Sequence, residues 1–107
     1  MLNDEKFALA FKALSHPRRV RIFRLLARSD GPGLSFLALQ NATGHCDGVL
    51  VHHLREMERC GLITRRGKGP YVVYVATPGV LSLAMETADR LCQDARTPAQ
   101  SPTQRAA

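Results

Sequence analysis

Nowhere in the 107 residues does an apolar run approach the ~20 positions that a membrane span needs. The opening Met1-Leu2-Asn3-Asp4-Glu5-Lys6 lacks the basic start and apolar stretch of a secretory signal. A cytoplasmic protein with no membrane partner is expected. Cysteine is scarce: Cys46, Cys60 and Cys92 are odd in number and form no C-x-x-C pair, so no disulfide framework is expected. In a reducing cytoplasm they should be thiols. Acids are missing from two long stretches. None lies in residues 17–29, where Arg18, Arg19, Arg21, Arg24 and Arg28 fall, and none in residues 59–85. With 15 Lys+Arg against 9 Asp+Glu, the net charge is +6. Clustered cations suit a polyanion, a merely solvated basic surface being the alternative. No nucleophile, base and orienting group come together. His45 and Cys46 are sequence neighbours, and adjacent residues at a helix start do not face each other. An enzyme is not expected, and no internal repeat is visible. The length allows one domain with a modest core.

The stretch that organises the chain is residues 44–62. Leu50, Leu54 and Met57 recur at i, i+4 and i+7, which places them on one helical face. Asp47, Gly48, Val51, His52 and Arg55 lie around the other side. Gly61 follows the last helical residue, Cys60, as a left-handed stop. Arg65-Arg66-Gly67-Lys68-Gly69 and the alternating Tyr71-Val72-Val73-Tyr74-Val75 then read as a basic β-hairpin. The helix is read as a DNA-recognition helix and the hairpin as a wing, with Arg65, Arg66 and Lys68 reaching the backbone. A major groove admits a helix: an arginine can hold a guanine edge, an apolar side chain a thymine methyl, and Asp47 a cytosine amine. An ordinary exposed helix face is the alternative. His53 faces elsewhere and reads as a packing histidine.

The remaining elements follow in order. Residues 4–14 form a first helix with Phe7, Phe11 and Leu14 on one face, and Asp4 and Glu5 at its positive end. Ser15-His16-Pro17 breaks the chain and restarts it, proline being tolerated in a first turn. Residues 17–27 form a second helix with Val20, Phe23 and Leu26 towards the core, Ile22 and Leu25 widening the stripe, and Arg18, Arg21 and Arg28 solvated or near phosphate. Ser29-Asp30-Gly31-Pro32-Gly33 is a loop. Ser35 caps a short helix over 36–42 whose apolar side is Phe36, Leu37 and Leu39. A glycine-containing turn leads into the next helix, which is the helix-turn-helix plan. Hairpin strands cover 63–66 and 71–76. The tip, Gly67-Lys68-Gly69-Pro70, joins two strands and is no phosphate-binding loop. Residues 80–95 form a last helix with Leu81, Ala84, Ala88, Leu91 and Cys92 on its apolar side. Residues 1–96 are expected to form one domain, and 97–107, with nothing to bury, a disordered tail. The fold class is mainly α with a small β-hairpin, a dimeric winged helix-turn-helix.

Three segments carry a family resemblance. Leu14-Ser15-His16-Pro17-Arg18-Arg19-Val20-Arg21-Ile22 resembles the "L-x-x-P-x-R-x-x-I" entry to the second helix of ArsR/SmtB-type winged-helix repressors. His53-Leu54-Arg55-Glu56-Met57-Glu58-Arg59-Cys60-Gly61-Leu62-Ile63 resembles that family's "H-L-x-x-L-x-x-A-G-L-V", and Arg65-Arg66-Gly67 through Tyr74 resembles its wing. The resemblance spans roughly residues 7–92. It implies a homodimer paired through first and last helices that binds a double-stranded DNA operator and leaves it when an effector binds. The departures concern the effector. The family's C-x-C, within "E-L-C-V-C-D-L", aligns with Leu34-Ser35-Phe36-Leu37-Ala38-Leu39, so both thiols are lost. The last helix has Glu86, Asp89 and Asp94 but no histidine, which argues against a zinc site there.

The cysteines keep two readings each. Cys46, at the start of the recognition helix, is either a reactive or metalloid-binding thiol, since a helix N-terminus activates thiols, or a helix-start residue. Cys92 is either a dimer-interface residue or an effector ligand; some arsenical sensors of the family carry cysteines there, but more than one. Cys60 reads as a small buried hydrophobe. No cofactor is implied. Trivalent arsenic or another thiophilic species is the candidate effector, with Cys92 and Cys46 its candidate ligands and the metal, if any, unspecified. A winged-helix interaction module without an effector is the alternative function.

Overall fold

The computed structural model describes residues 2–29 and 31–97. Five helices and one hairpin follow in order: α1 (Asp4–Lys12), α2 (Pro17–Ala27), α3 (Phe36–Thr43), α4 (Asp47–Arg59), β1 (Ile63–Arg66), β2 (Val73–Ala76) and α5 (Gly79–Arg96). Local chemistry sets the helix starts. Asn3 accepts from the Lys6 amide at 2.8 Å, the His16 ring from the Arg18 amide at 3.1 Å, and Ser35 from the Ala38 amide at 3.0 Å. Each satisfies one of the amides that a helix start leaves without an internal partner. Cys46 is the cap position of α4 and makes no such bond.

Glycine sets two of the ends. Gly44 closes α3 at φ 73°, which allows the tight turn into α4. Gly61, at φ 85°, follows α4. Its amide bonds the Glu58 carbonyl and the Leu62 amide bonds the Met57 carbonyl, both at 3.0 Å. This double closure ties up the last carbonyls of α4 and turns the chain directly into β1.

The core gathers Ile22 and Leu26 of α2, Leu39 of α3, Leu50, Leu54 and Met57 of α4, and Cys60, Leu62 and Ile63 beyond it. Cys60 is the small buried residue expected. Two apolar faces differ from the sequence reading. On α2 the fully buried residue is Ile22, with Val20 and Phe23 only half-buried. On α3 Leu39 alone is buried and Leu37 is 63% exposed. In both helices apolar residues flank the core position on two sides, so periodicity gives the stripe but not its centre.

The hairpin is antiparallel, pairing Ile63 with Ala76 and Arg66 with Val73. Its second strand starts later than expected. Residues Gly69–Tyr71 form a 3-10 turn instead, because Pro70 has no amide to give a ladder. Leu34, ahead of α3, adds a single bridge to the other side of β2, exchanging bonds with Tyr74 at 3.0 and 2.7 Å. Helix α5 packs against α1 through its first half, where Ala84 is buried. Residues 89–97 of α5 and its cap are all exposed. The expected disordered tail falls, from residue 98 onwards, outside the described residues. Among the described residues no helix is long and apolar enough to cross a membrane.

Candidate nucleic-acid interface

Helix α4 shows the rest of the chain one face and solvent the other. Leu50, His53, Leu54 and Met57 are buried. At ~100° per residue, Gly48, Val51, His52 and Arg55 fall within an arc of about 100° on the opposite side. Gly48, His52 and Arg55 are exposed and Val51 is half-buried. Val51 and Arg55 line a shallow cleft between α4 and the hairpin, together with Glu58, Arg65 and Tyr74. Four of the five helix residues singled out in the sequence thus share the outward side, with the hairpin beside them; Asp47 is exposed only because it opens the helix, and lies at the edge of the buried face next to Leu54.

Polar contacts divide these residues into held and free. Asp47 accepts a hydrogen bond from the Gln40 side chain of α3, so its carboxylate is engaged inside the helix-turn-helix. Arg65 pairs with Glu58 of α4 at 3.2 Å and fixes the hairpin against the helix. Arg59 pairs with Glu56 at 2.9 Å, which holds the Glu56 carboxyl below its ordinary range. Arg55, Arg66 and Lys68 are exposed and carry no ion pair among the described residues.

Sequence reasoning missed the residue that seats the helix. Arg19, on α2, is only 8% exposed, and its Nε donates to Nδ1 of His53 at 3.1 Å. Its second guanidinium nitrogen donates to the Lys12 carbonyl at 3.1 Å. One side chain therefore joins the end of α1, the body of α2 and the middle of α4. His53 is the structural histidine expected. All four histidines of the chain meet here: the rings of His16, His52 and His45 lie 4.8, 5.4 and 6.3 Å from that of His53. Burial, then the charges of Arg19, His16, His52 and Arg18, lower the His53 pKa to about 4. Burial, Arg18 and Arg21 also lower that of His45, whose Nδ1 is buried without a hydrogen-bond partner among the described residues. Among the described residues no three of His, Cys, Asp or Glu gather in a metal-holding group. Cys46 and Cys92 are both exposed free thiols.

A helix-turn-helix followed directly by a two-stranded hairpin and a last helix is an arrangement shared with solved structures. An ArsR-like transcriptional regulator from Rhodococcus sp. RHA1 superposes with a TM-score of 0.75 at 26% identity, over 84% of this chain and 80% of that one. The chain has the winged helix-turn-helix fold seen in this ArsR-like regulator. Two further superpositions, below 25% identity, support the fold alone. One is the homodimeric winged helix-turn-helix DNA-binding domain Mb0332 from Mycobacterium bovis, described as a possible ArsR-family regulator (TM-score 0.64, 24% identity, 84% of this chain and 81% of that). The other is NolR from Sinorhizobium fredii (TM-score 0.60, 22% identity, 83% and 93%). No protein-family model matches the chain, and no curated protein matches it.

The histidine at the centre of this winged helix-turn-helix domain gives it an acid-sensitive seat. Its Nδ1 accepts from Arg19, so the neutral ring is the bonding form. Its folded pKa of about 4 lies below the unfolded value of ~6.5, so between the two the unfolded chain binds more protons. The contribution is whole above about pH 6.5 and falls as the pH drops towards about 4. Urea unfolding followed from pH 7.5 to 4 should show a loss from this ring on the order of 1–3 kcal/mol. In His53→Gln, which can still accept from Arg19 but does not titrate, the fall should be smaller by that amount. Equal slopes in the two proteins would remove His53 from the acid response.

Proposed function

We propose that the chain is a homodimeric transcriptional repressor that sets α4 into the major groove of an inverted-repeat operator and holds the DNA backbone with its wing. The observation that supports this most is the division of cations just described. Arg55 stands free in the middle of the exposed α4 face, Arg66 and Lys68 stand free on the hairpin, and Arg65 is spent on holding the two together. A guanidinium on a helix face suits a guanine edge. Cations on the exposed hairpin suit phosphate, which carries no sequence information. Gly48 adds room on the same face, since a Cβ there would meet nothing within 4 Å.

Arg55→Ala should therefore relax specificity at one base position at a cost of roughly 1–3 kcal/mol. Arg66→Ala and Lys68→Ala should weaken all sequences alike and flatten the salt dependence by about one unit each. A binding-site library scored against the three variants separates the roles. Identical profiles would contradict the assignment, and the absence of any DNA binding by the wild type would favour the interaction-module reading.

Dimerisation rests on α5. The face that buries Ala84 within the domain continues along a half of the helix that none of the described residues covers, where Leu91 is 55% exposed. Phe11 of α1 is also open, its ring edge-on to Phe7 at 5.2 Å. A second copy laid along these helices would cover both and would present two α4 faces to half-sites about 10 base pairs apart, or a multiple of that. Light scattering at micromolar concentration without DNA should give twice the chain mass; the mass of one chain would defeat the proposal.

Operator release is assigned to a thiophilic effector, such as trivalent arsenic, at Cys92. This thiol is exposed on the uncovered half of α5, where a ligand would alter how two subunits seat and hence the separation of the α4 helices. A second thiol is needed, from Cys92 of the other subunit or from Cys46. With arsenite added to the operator complex, wild type and Cys60→Ser should release DNA while Cys92→Ser stays bound. Release by Cys92→Ser and Cys46→Ser alike would place the inducer elsewhere.

A further inference from the structure

Helix α2 presents an exposed basic surface that neither the α4 face nor the wing accounts for. Arg18, Arg21, Arg24 and Arg28 are all exposed, and none has an acidic partner among the described residues. Two of them stand beside the start of α4. Arg21 donates to the Ala42 carbonyl at 2.9 Å, at the end of α3, which holds its guanidinium at the α3–α4 turn. Arg18, in the first turn of α2, donates its amide to the ring of the capping residue His16 at 3.1 Å and stands one turn before Arg21 on the same side of the helix. The charges of both reach His45, one residue before the cap of α4, and contribute to its lowered pKa. Arg28 sits ten residues beyond Arg18, about 15 Å away along the helix.

We propose that Arg18 and Arg21 form a second anchor for the DNA backbone, at the N-terminal end of α4 and opposite the wing. The proposal rests on the reading of α4 as the groove-entering helix. The wing is tied to α4 at Glu58, eleven residues from Asp47, so the two cationic sites flank the helix about 16 Å apart. A major groove is about 12 Å wide and bounded by a phosphate backbone on each side. A helix seated there, with one cationic site at each end, engages both strands. The wing alone would hold one side and leave the helix free to roll about that contact. Two anchors fix its angle in the groove, which is what base reading by Arg55 requires. The competing partner for unpaired arginines is an acidic protein surface. The placement of Arg21 at the turn into α4, with Arg18 one turn before it on α2, favours the duplex.

The test uses a duplex that the wild-type dimer selects from a random-sequence library, with affinity measured across a range of salt concentrations. Removing one cation that neutralises a phosphate should flatten the log–log salt slope by about 0.9. Arg18→Ala and Arg18→Gln should each show that change per protomer, and Arg18→Ala/Arg21→Ala about twice as much. Arg28→Ala removes the same charge from the far end of the same helix and should leave the slope as in wild type. A second readout uses duplexes with single neutral methylphosphonate linkages along the groove edges. At least one linkage should weaken wild type several-fold and leave Arg18→Ala unaffected. Equal flattening by Arg28→Ala would show a general charge effect and overturn the anchor, as would an unchanged slope in both Arg18 variants. If the wild type selects no duplex, the DNA reading itself falls and the anchor with it. If Arg55→Ala loses specificity while the Arg18 variants lose nothing, only the anchor falls.

Discussion

The orientation of α4 depends on one buried hydrogen bond, from Arg19 to His53. Three helices meet at it, because the same guanidinium also reaches the carbonyl of Lys12. A buried arginine is costly unless its donors are satisfied, and leaving it without its acceptor costs more than the bond itself is worth. The bond therefore acts more as a constraint than as glue. Packings that turn α4 away from α2 strand a cation in the core, whereas the apolar contacts of Leu50, Leu54 and Met57 would tolerate some rotation. Apolar burial supplies the stability of this small domain, and the polar contact selects one way of arranging it.

A second layer of polar contacts decides which side chains stay available on the surface. Gln40 holds Asp47, Glu58 holds Arg65 and Glu56 holds Arg59. As exposed pairs they add little to stability. Their effect is positional: each pins an acid that would otherwise repel a polyanion, and each leaves a neighbouring cation without competition. The α4 face thus carries acids in sequence but offers few free carboxylates.

Local patterns were the legible part of this fold. The i, i+4, i+7 spacing in α4 identified its buried face, Gly61 its end, and Ser35 the start of α3. The alternation after Tyr71 located the second strand, although Pro70 delays it by turning the chain into a 3-10 turn first. The exposed side of the proposed interface followed from the same periodicity, and the basic hairpin from composition. What could not be read was long-range. Arg19 looks like one more solvated arginine until His53, 34 positions later, supplies its acceptor. The engagement of Asp47 and Arg65 was hidden for the same reason, since partners seven residues away lie on other elements. Ile22 took the place given to Val20 and Phe23 because an apolar stripe wider than the core contact leaves its centre undecided.

The bridge between Leu34 and Tyr74 bears on solubility. A two-stranded sheet has two open edges, each a template on which another chain can add a strand. Leu34 occupies the outer edge of β2, and the neighbouring Gly33 makes this close approach possible, since a Cβ there would come within 3 Å of the Tyr74 carbonyl. Among the described residues only β1 is left open, and its exposed residues include Arg65 and Arg66. Charges on an edge strand are the usual guard against intermolecular pairing. Arg66, proposed to hold DNA, and Arg65, paired with Glu58, therefore also keep free molecules apart, so that stripping the wing of charge would leave a sheet edge open to association between copies of the protein.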